Sequence, residues 1–336
     1  MNILAEILFE MTTKYAKKKI LVTGSNGLLG QKLVLLLRAR EDVSLIASSK
    51  GENRLQEKSG YVYEPLDITD KNRIEKIISA HSPDCIINTA AMTNVDACEI
   101  KQEECLQINV EAVQHILDVL ARLGKPDSKL QTHFIHLSTD FVFDGENGPY
   151  SEEDKPNPLS FYAQSKYDAE KIIQQSKIPW TIIRTIIIYG VYENMSRLNL
   201  VLWTLKSLTK GERIRVINDQ FRAPTLAEDL ADACLSAAMK NNPAASGGIY
   251  HVSGRETKSI LELAYETADF FHLDKSLIEP VSSAELNQPA RRPARTGFII
   301  DKAVRELDFH PHTFKEGLQI VKEQLEKSDW MKNLSK

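Results

Sequence analysis

No apolar run in this 336-residue chain approaches the roughly 20 residues needed to cross a bilayer as a helix, so a membrane-spanning role is not expected. Nor is there a basic excess. Lys and Arg number 42 against 46 Asp and Glu, a formal net charge of -4, and the electrostatic footprint of a nucleic-acid binder is missing. Cysteine is scarce: Cys85, Cys98, Cys105 and Cys234 form no CxxC pair and no disulfide framework, which reads as reduced, packed thiols of a cytoplasmic protein. His133, His136, His310 and His312 lack further ligands at metal-binding spacing, so they read as structural and no metal is expected. Internal repeats and low-complexity tracts are absent, which leaves one large domain or two moderate ones. The opening MNILAEILFEMTTKYA lacks the basic start and long apolar stretch of a secretion signal. Residues 1–16 read as an N-terminal extension, a short helix or an extended lead, with Met11 available as a second initiator and no function assigned.

What the chain does have is strands alternating with helices. Ile20-Leu21-Val22 runs into Thr23-Gly24-Ser25-Asn26-Gly27-Leu28-Leu29-Gly30, then into a helix carrying Leu33, Leu35, Leu36 and Leu37. Gly24, Gly27 and Gly30 permit a tight turn, a close approach to a pyrophosphate and close helix packing, while the helix N-terminus offers amide donors and partial positive charge. A glycine turn without a ligand is the plain alternative. Its position between a strand and an apolar helix favours a dinucleotide and brings Asn26 and Leu28 into the candidate cofactor set. A second strand at 43–47 ends in Ser48-Ser49-Lys50, where an NAD-selective site carries an acidic residue. Small hydroxyls with Lys50 and Arg54 suit a ribose 2′-phosphate, which favours NADP over NAD; an ordinary polar loop is the alternative. A third strand at 61–66 closes on Asp67-Ile68, with Asp67 placed to accept from an adenine amino group or to cap the helix of Ile74, Ile77 and Ile78. After the fourth strand, Cys85 to Asn88, Ala90 and Ala91 are small enough to pass beside a nicotinamide ribose, and Thr93 and Asp96 follow as substrate candidates.

Leu106, Val110, Val113, Leu117 and Leu120 mark the core stripe of a long helix, with Asn109 beside it in a structural role and a stop at Leu123-Gly124-Lys125-Pro126. The apolar HFIHLSTD then delivers Ser138 and Thr139 to a strand tip, where two hydroxyls are placed to hold a carbonyl oxygen. Tyr162 and Lys166 stand four residues apart, on one face of a helix that begins near Ser160. An ammonium favours the phenolate, so Lys166 is expected to lower Tyr162 from its ordinary pKa of ~10 and fit it for general acid catalysis. A YxxxK alone is common on solvated helix faces. Convergence raises its weight: in a parallel sheet ligands bind beyond the carboxyl ends of the strands, where Gly24, Ala90, Thr139 and the residues after a strand at 180–188 gather.

After Gly190 the pattern changes. Helices at 198–208, 226–239, 259–271 and 314–330 alternate with short strands at 214–217 and 248–252. The basic loop Gln288 to Thr296 carries arginines, Arg292 among them, that suit a diphosphate, with a solvated loop as the alternative. The expected fold is α/β, a Rossmann-type doubly wound parallel sheet over 17–190 with a smaller C-terminal α/β part, mainly substrate-binding, over 191–336, the chain being free to cross between the two.

TGSNGLLG, NTAAMTNVDACE, STDFVFDG, PYSEED, FYAQSK, NDQFRAPT, GIYHVSG and RRPART, in that order, resemble the extended short-chain dehydrogenase/reductase superfamily and, within it, the dTDP-4-dehydrorhamnose reductases. The likeness runs from about residue 18 to the C-terminus. It implies an NADPH- or NADH-dependent reduction of the 4-keto group of a nucleotide-linked 6-deoxysugar. Thr139, Tyr162 and Lys166 match that family's catalytic triad, with Ser138 adjacent. Tyr162 then protonates the emerging alkoxide, Lys166 lowers its pKa and holds the nicotinamide ribose, and Thr139 polarises the carbonyl. Asp140, Phe141, Asp219, Gln220 and Arg292 join Thr93 and Asp96 as the implied substrate contacts, and a monomer or homodimer is implied. The chain departs from the family where Phe141 replaces a Tyr, where Ile186-Ile187-Ile188 replaces a Trp-bearing strand tip, and where Lys32 replaces the acidic residue of a magnesium-bridged dimer. A related ketoreductase or epimerase, and a regulatory subunit like the methionine adenosyltransferase β subunit, remain alternatives.

Overall fold

The computed structural model describes residues 17–124, 131–194, 197–239, 247–328 and 330, so the N-terminal extension and the Lys125-Pro126 part of the expected helix stop lie outside the described residues. Seven strands form one parallel sheet: β1 (Lys18–Thr23), β2 (Val43–Ser49), β3 (Val62–Pro65), β4 (Cys85–Asn88), β5 (His133–Thr139), β6 (Trp180–Thr185) and β11 (Gly248–Val252), in the spatial order β11-β6-β5-β4-β1-β2-β3. Strand order reverses between β1 and β4, and the crevice there is the switch point at which such sheets bind ligands.

The sheet is buried on both faces because its strands are apolar on both faces. Ile20, Val22, Ile87 and Ile135 enter a core with Leu33, Val34 and Leu37 of the helix Leu28–Arg38 and Leu230 and Ala237 of the helix Ala227–Met239. Their neighbours Leu21, Ile86 and Phe134 point the other way, into a layer with Ile74, Ile77, Val113, Ile116, Leu117 and Ile173. Helix starts follow their sequence signals: Asp70 accepts from Arg73 N at 3.0 Å to cap Lys71–His81, and Ser160 accepts from Ala163 N to cap Phe161–Gln175.

One expected strand is shorter than its apolar run. The run at 180–188 breaks because Ile187 takes φ 23, a conformation a β-branched residue rarely adopts, and Thr225 holds it there through Thr225 N to Ile187 O and Thr225 Oγ1 to Ile186 O. Beyond the break, β7 (Ile188–Tyr189) pairs with β10 (Thr225–Leu226) outside the main sheet. The chain after Gly190 returns to the sheet twice, as β11 beside β6 and as the helix Ala227–Met239 against Leu28–Arg38. Its remaining strands form separate two-stranded sheets, β8 (Ile214–Ile217) with β13 (Ile278–Val281) and β9 (Phe221–Arg222) with β12 (Lys258–Ser259). Val201, Leu202, Leu205, Leu263, Leu318 and Val321 give this part its own core.

Candidate active site

The glycine turn closes as its spacing demands. Gly24 has φ 71, and a Cβ on it would stand 2.7 Å from the Ala90 backbone nitrogen; a Cβ on Gly30 would meet Gly24 O at 2.2 Å. Gly27 differs. A Cβ there would meet only Gly24 O, at 3.4 Å, and Gly27 N-caps the helix Leu28–Arg38 without a side-chain hydrogen bond, so the amide donors of that N-terminus face open space. A cleft of about 330 Å³ opens there, lined by Gly24, Asn26, Gly27, Ser48, Ser49, Lys50, Arg54, Asp67, Ile68, Ala90 and Ala91, so all but Leu28 and Gly30 of the non-catalytic cofactor set line one cavity. The buried Ser48 Oγ has no hydrogen-bond partner among the described residues. Glycine approach, uncapped helix amides and an orphaned hydroxyl together fit a dinucleotide.

Three of these residues have local duties as well. Asn26 braces the loop after β2, donating to Glu52 O and accepting from Arg54 N. Lys50 Nζ lies 2.6 Å from Asp67 Oδ2, and that bond holds Asp67 below its ordinary pKa while Asp67 also accepts from Thr69. Arg54 keeps its guanidinium free of hydrogen bonds and ion pairs among the described residues.

The catalytic candidates gather at the tips of β5 and its neighbouring helix. Tyr162, Ser165, Lys166, Ala169, Glu170 and Ile173 form the buried face of Phe161–Gln175. That face is anchored by Glu170, which receives Arg184 of β6 in a bidentate pair, 2.9 and 2.7 Å, with both side chains at most 2% exposed. Thr139 Oγ1 donates to Asp140 Oδ1 and accepts from Phe141 N, and its hydroxyl interacts with the Tyr162 phenol. Phe141 meets Tyr162 edge to face, ring centres 6.1 Å apart. Ser138 Oγ is buried without a partner among the described residues.

The expected effect of Lys166 on Tyr162 is not what the structure contains. Burial pushes the Tyr162 phenol above its ordinary value, opposed chiefly by the Thr139 hydroxyl rather than by Lys166. The reason is geometric. Shared helix face sets where the two Cβ atoms stand, but Lys166 Nζ extends to β5 and lies 3.0 Å from His136 Nε2. Burial pulls the ammonium down to about 8. His136 carried no functional signal in the sequence beyond its place in a buried strand.

The proposed substrate residues divide. Thr93 is exposed beside the cleft. Asp96 and Arg292 find each other across the chain, Nη2 to Oδ2 at 2.7 Å, with Ala290 N donating to Asp96 as well. Asp140 is sealed: Thr139 and Thr296 donate to it, Arg222 Nε lies 3.7 Å away, and it is 2% exposed. Asp219 accepts from Ser283 N and Oγ, and Gln220 donates to Ser283 Oγ, so both fasten the short helix Ser283–Leu286. Sequence spacing missed Arg222, which is 1% exposed and donates to Phe221 O and Pro293 O at 2.7 Å each. Asn109 is structural as expected. From a π-helical turn, Gln107–Glu111, it bonds to the backbone of Met92 in the loop after β4 and donates to Ser165 Oγ and Cys105 Sγ.

The sequence profile of the RmlD substrate binding domain matches residues 18–327. The chain belongs to this family. It is 31% identical to a dTDP-4-dehydrorhamnose reductase of Sinorhizobium fredii, over 85% of this chain and 90% of that protein. It is also 28% identical to the methionine adenosyltransferase 2 subunit beta of Bos taurus, over 90% of this chain and 95% of that one. The crystal structure of dTDP-4-dehydrorhamnose reductase from Bacillus anthracis in complex with NADP superimposes with a TM-score of 0.74 at 25% identity, covering 92% of this chain and 99% of that one. Within the RmlD-type frame, Lys32 is engaged internally, 2.8 Å from Glu228 Oε1 and 2.9 Å from Gln324 Oε1, so the helix Leu28–Arg38 is tied to the helix Phe314–Lys327 at the position where the resemblance implied an acidic residue.

Proposed function

We propose that the protein reduces the 4-keto group of a nucleotide-linked 6-deoxyhexose, dTDP-4-dehydro-L-rhamnose to dTDP-L-rhamnose, with NADPH. The observation that carries the reading is the placement of Thr139 and Tyr162 at the tip of β5, on the sheet edge that also holds the open glycine turn and its cleft. The amides of the glycine turn would hold NADPH, which when bound would supply the hydride. Tyr162, kept protonated by burial, donates its proton to O4 of the sugar as negative charge develops there. Thr139, held in place by Phe141 N, would turn its one proton from Asp140 Oδ1 to the same oxygen when the sugar binds, adding a second donor where the charge develops. Arg54, unengaged beside Ser48 and Ser49, is the residue we assign to the 2′-phosphate, and it underlies the choice of NADPH over NADH. Thr93, Asp96, Phe141 and Arg292 remain the proposed sugar-nucleotide contacts, while Asp140, Asp219 and Gln220 brace the walls. The dinucleotide-binding and catalytic part is assigned to 17–190 and the mainly substrate-binding part to 191–336, with β11 returning to the sheet, and the protein to the cytoplasm.

The test is cofactor oxidation with dTDP-, GDP- and UDP-linked 4-keto-6-deoxysugars. Stoichiometric NADPH oxidation with the dTDP sugar is expected, and Tyr162→Phe slows it about 100-fold or more, the usual scale of acid catalysis. The relative named as a methionine adenosyltransferase subunit supports a second reading, a nucleotide-binding regulatory subunit. No oxidation with any ketosugar decides for that reading.

A further inference from the structure

Among the described residues the Lys166 amine has one hydrogen-bond partner, an imidazole, and that imidazole ends a buried polar chain. Lys166 Nζ lies 3.0 Å from His136 Nε2; His136 Nδ1 lies 3.1 Å from Asn88 Nδ2; Thr23 Oγ1 donates to Asn88 Oδ1 at 2.6 Å. All four residues are at most 2% exposed. The chain crosses three adjacent strands, β5, β4 and β1, and Thr23 itself lines the glycine-turn cleft.

We propose that His136 is a positioning residue that holds the Lys166 amine at the nicotinamide end of the cleft and, with Asn88 and Thr23, sets which form of that amine the site keeps. The inference rests on the reductase reading only in taking Lys166 to meet the bound cofactor. A neutral ring carries one proton. With Asn88 Nδ2 donating to Nδ1, that proton sits on Nε2 and faces Nζ, the arrangement of an uncharged amine. An ammonium needs Nε2 as acceptor, hence a proton on Nδ1 and the Asn88 amide turned to offer Oδ1, with Thr23 turning from donor to acceptor. Two discrete hydrogen-bond arrangements therefore match two forms of Lys166. Among the described residues the other titratable groups that act on the amine are Cys105 from the helix Gln102–Leu106 and Glu170 on its own helix, Glu170 being paired to Arg184 of β6. Burial brings the amine to about 8 and pushes His136 down, so the ring stays neutral while Lys166 titrates.

The sign follows. The ammonium is present below about pH 8 and lost above it, so NADPH affinity falls as pH rises through that value. Removing the acceptor destabilises the cation, and the fall begins at lower pH. The experiment is NADPH titration by fluorescence from pH 6 to 10 on the full chain, with His136→Phe, His136→Gln and Thr23→Val. In His136→Phe the midpoint drops by about one to two units, the scale of a hydrogen bond to a charged group. Gln, whose amide is able to accept at the Nε2 position, restores most of the shift, and Thr23→Val moves it slightly in the same direction. An unchanged midpoint in His136→Phe, or equal loss in Phe and Gln variants, overturns the proposal. Should His136→Phe not fold, an unmoved midpoint in Thr23→Val overturns it instead. Absence of NADPH binding by the unaltered protein does so as well. No sugar enters the titration, so missing turnover with every ketosugar sinks the reductase reading and leaves this one to its own data.

Discussion

The two walls of the site are built on opposite terms. On the cofactor wall, donors and space stay open: the helix Leu28–Arg38 starts without a side-chain cap, and Ser48 Oγ and the Arg54 guanidinium make no hydrogen bond among the described residues. On the wall proposed for the substrate, the acids are already matched, Asp96 by Arg292, Asp219 by Ser283, and Asp140 by Thr139, Thr296 and Arg222. An open wall is preorganised to receive a ligand at little cost. Two of these matches, Asp96 with Arg292 and Asp140 with Thr296 and Arg222, tie the chain before Gly190 to the chain after it, and a ligand there must compete with bonds that exist. If the contrast is real, damage to the matched wall is felt first in stability and damage to the open wall first in binding.

Arg222→Met is the strongest blow to the matched wall. It leaves Asp140 buried beside fewer donors and frees the carbonyls of Phe221 and Pro293, with an expected loss of about 3–5 kcal/mol, the scale for breaking one side of a buried charged network. Denaturant unfolding reads it; a loss below about 1 kcal/mol means the network is not bracing this wall. Burial raises the pKa of Asp140 against the pull of Arg222, so the carboxylate depends on that neighbour.

The open wall is sharpened by two glycines of one motif. In Gly30→Ala the new Cβ meets Gly24 O at 2.2 Å with backbone on both sides, and stability falls by about 1–3 kcal/mol, the range for overpacking. In Gly27→Ala the nearest atom is 3.4 Å away, so stability changes by no more than about 1 kcal/mol, the scale of a helix N-cap. The methyl instead crowds the space before the helix N-terminus, and NADPH affinity falls about tenfold or more. Equal effects of the two substitutions on binding and stability erase the distinction.

The same contrast explains what the sequence revealed. The glycine turn is a local instruction, complete within Gly24 to Gly30, and alternation of apolar strands and helices dictates the sheet, so that wall was legible. Tyr162 and Lys166 were legible as a helical pair, but helix spacing stops at Cβ and cannot say that Nζ turns to His136. The matched wall is built from distant partners. Asp140 meets Thr296, Asp96 meets Arg292, and nothing near either acid announces its partner. Ile187 likewise reads as strand from composition, and only the bonds from Thr225 explain its break.

The smallest predicted effect falls where the two walls come nearest to sharing a rule. Asp96 and Arg292 are matched like the rest of their wall, yet their side chains are 32% and 14% exposed, so water screens the pair and its contribution to stability is within about 1 kcal/mol. Burial alone would raise Asp96, but the Arg292 hydrogen bond holds the carboxyl below its ordinary value, so the pair persists through neutral pH and weakens only as Asp96 protonates in acid. Arg292 is therefore the one matched cation able to exchange its partner for a diphosphate without unfolding anything. Arg292→Ala is expected to raise KM for the nucleotide sugar about tenfold, the worth of one charge-assisted contact, with kcat and stability nearly unchanged. Asp96→Asn releases the guanidinium and leaves KM equal or lower. Steady-state kinetics on both variants decides: an unmoved KM in Arg292→Ala makes the residue a strut to Asp96, and the substrate wall then has no exchangeable charge among the residues proposed for it.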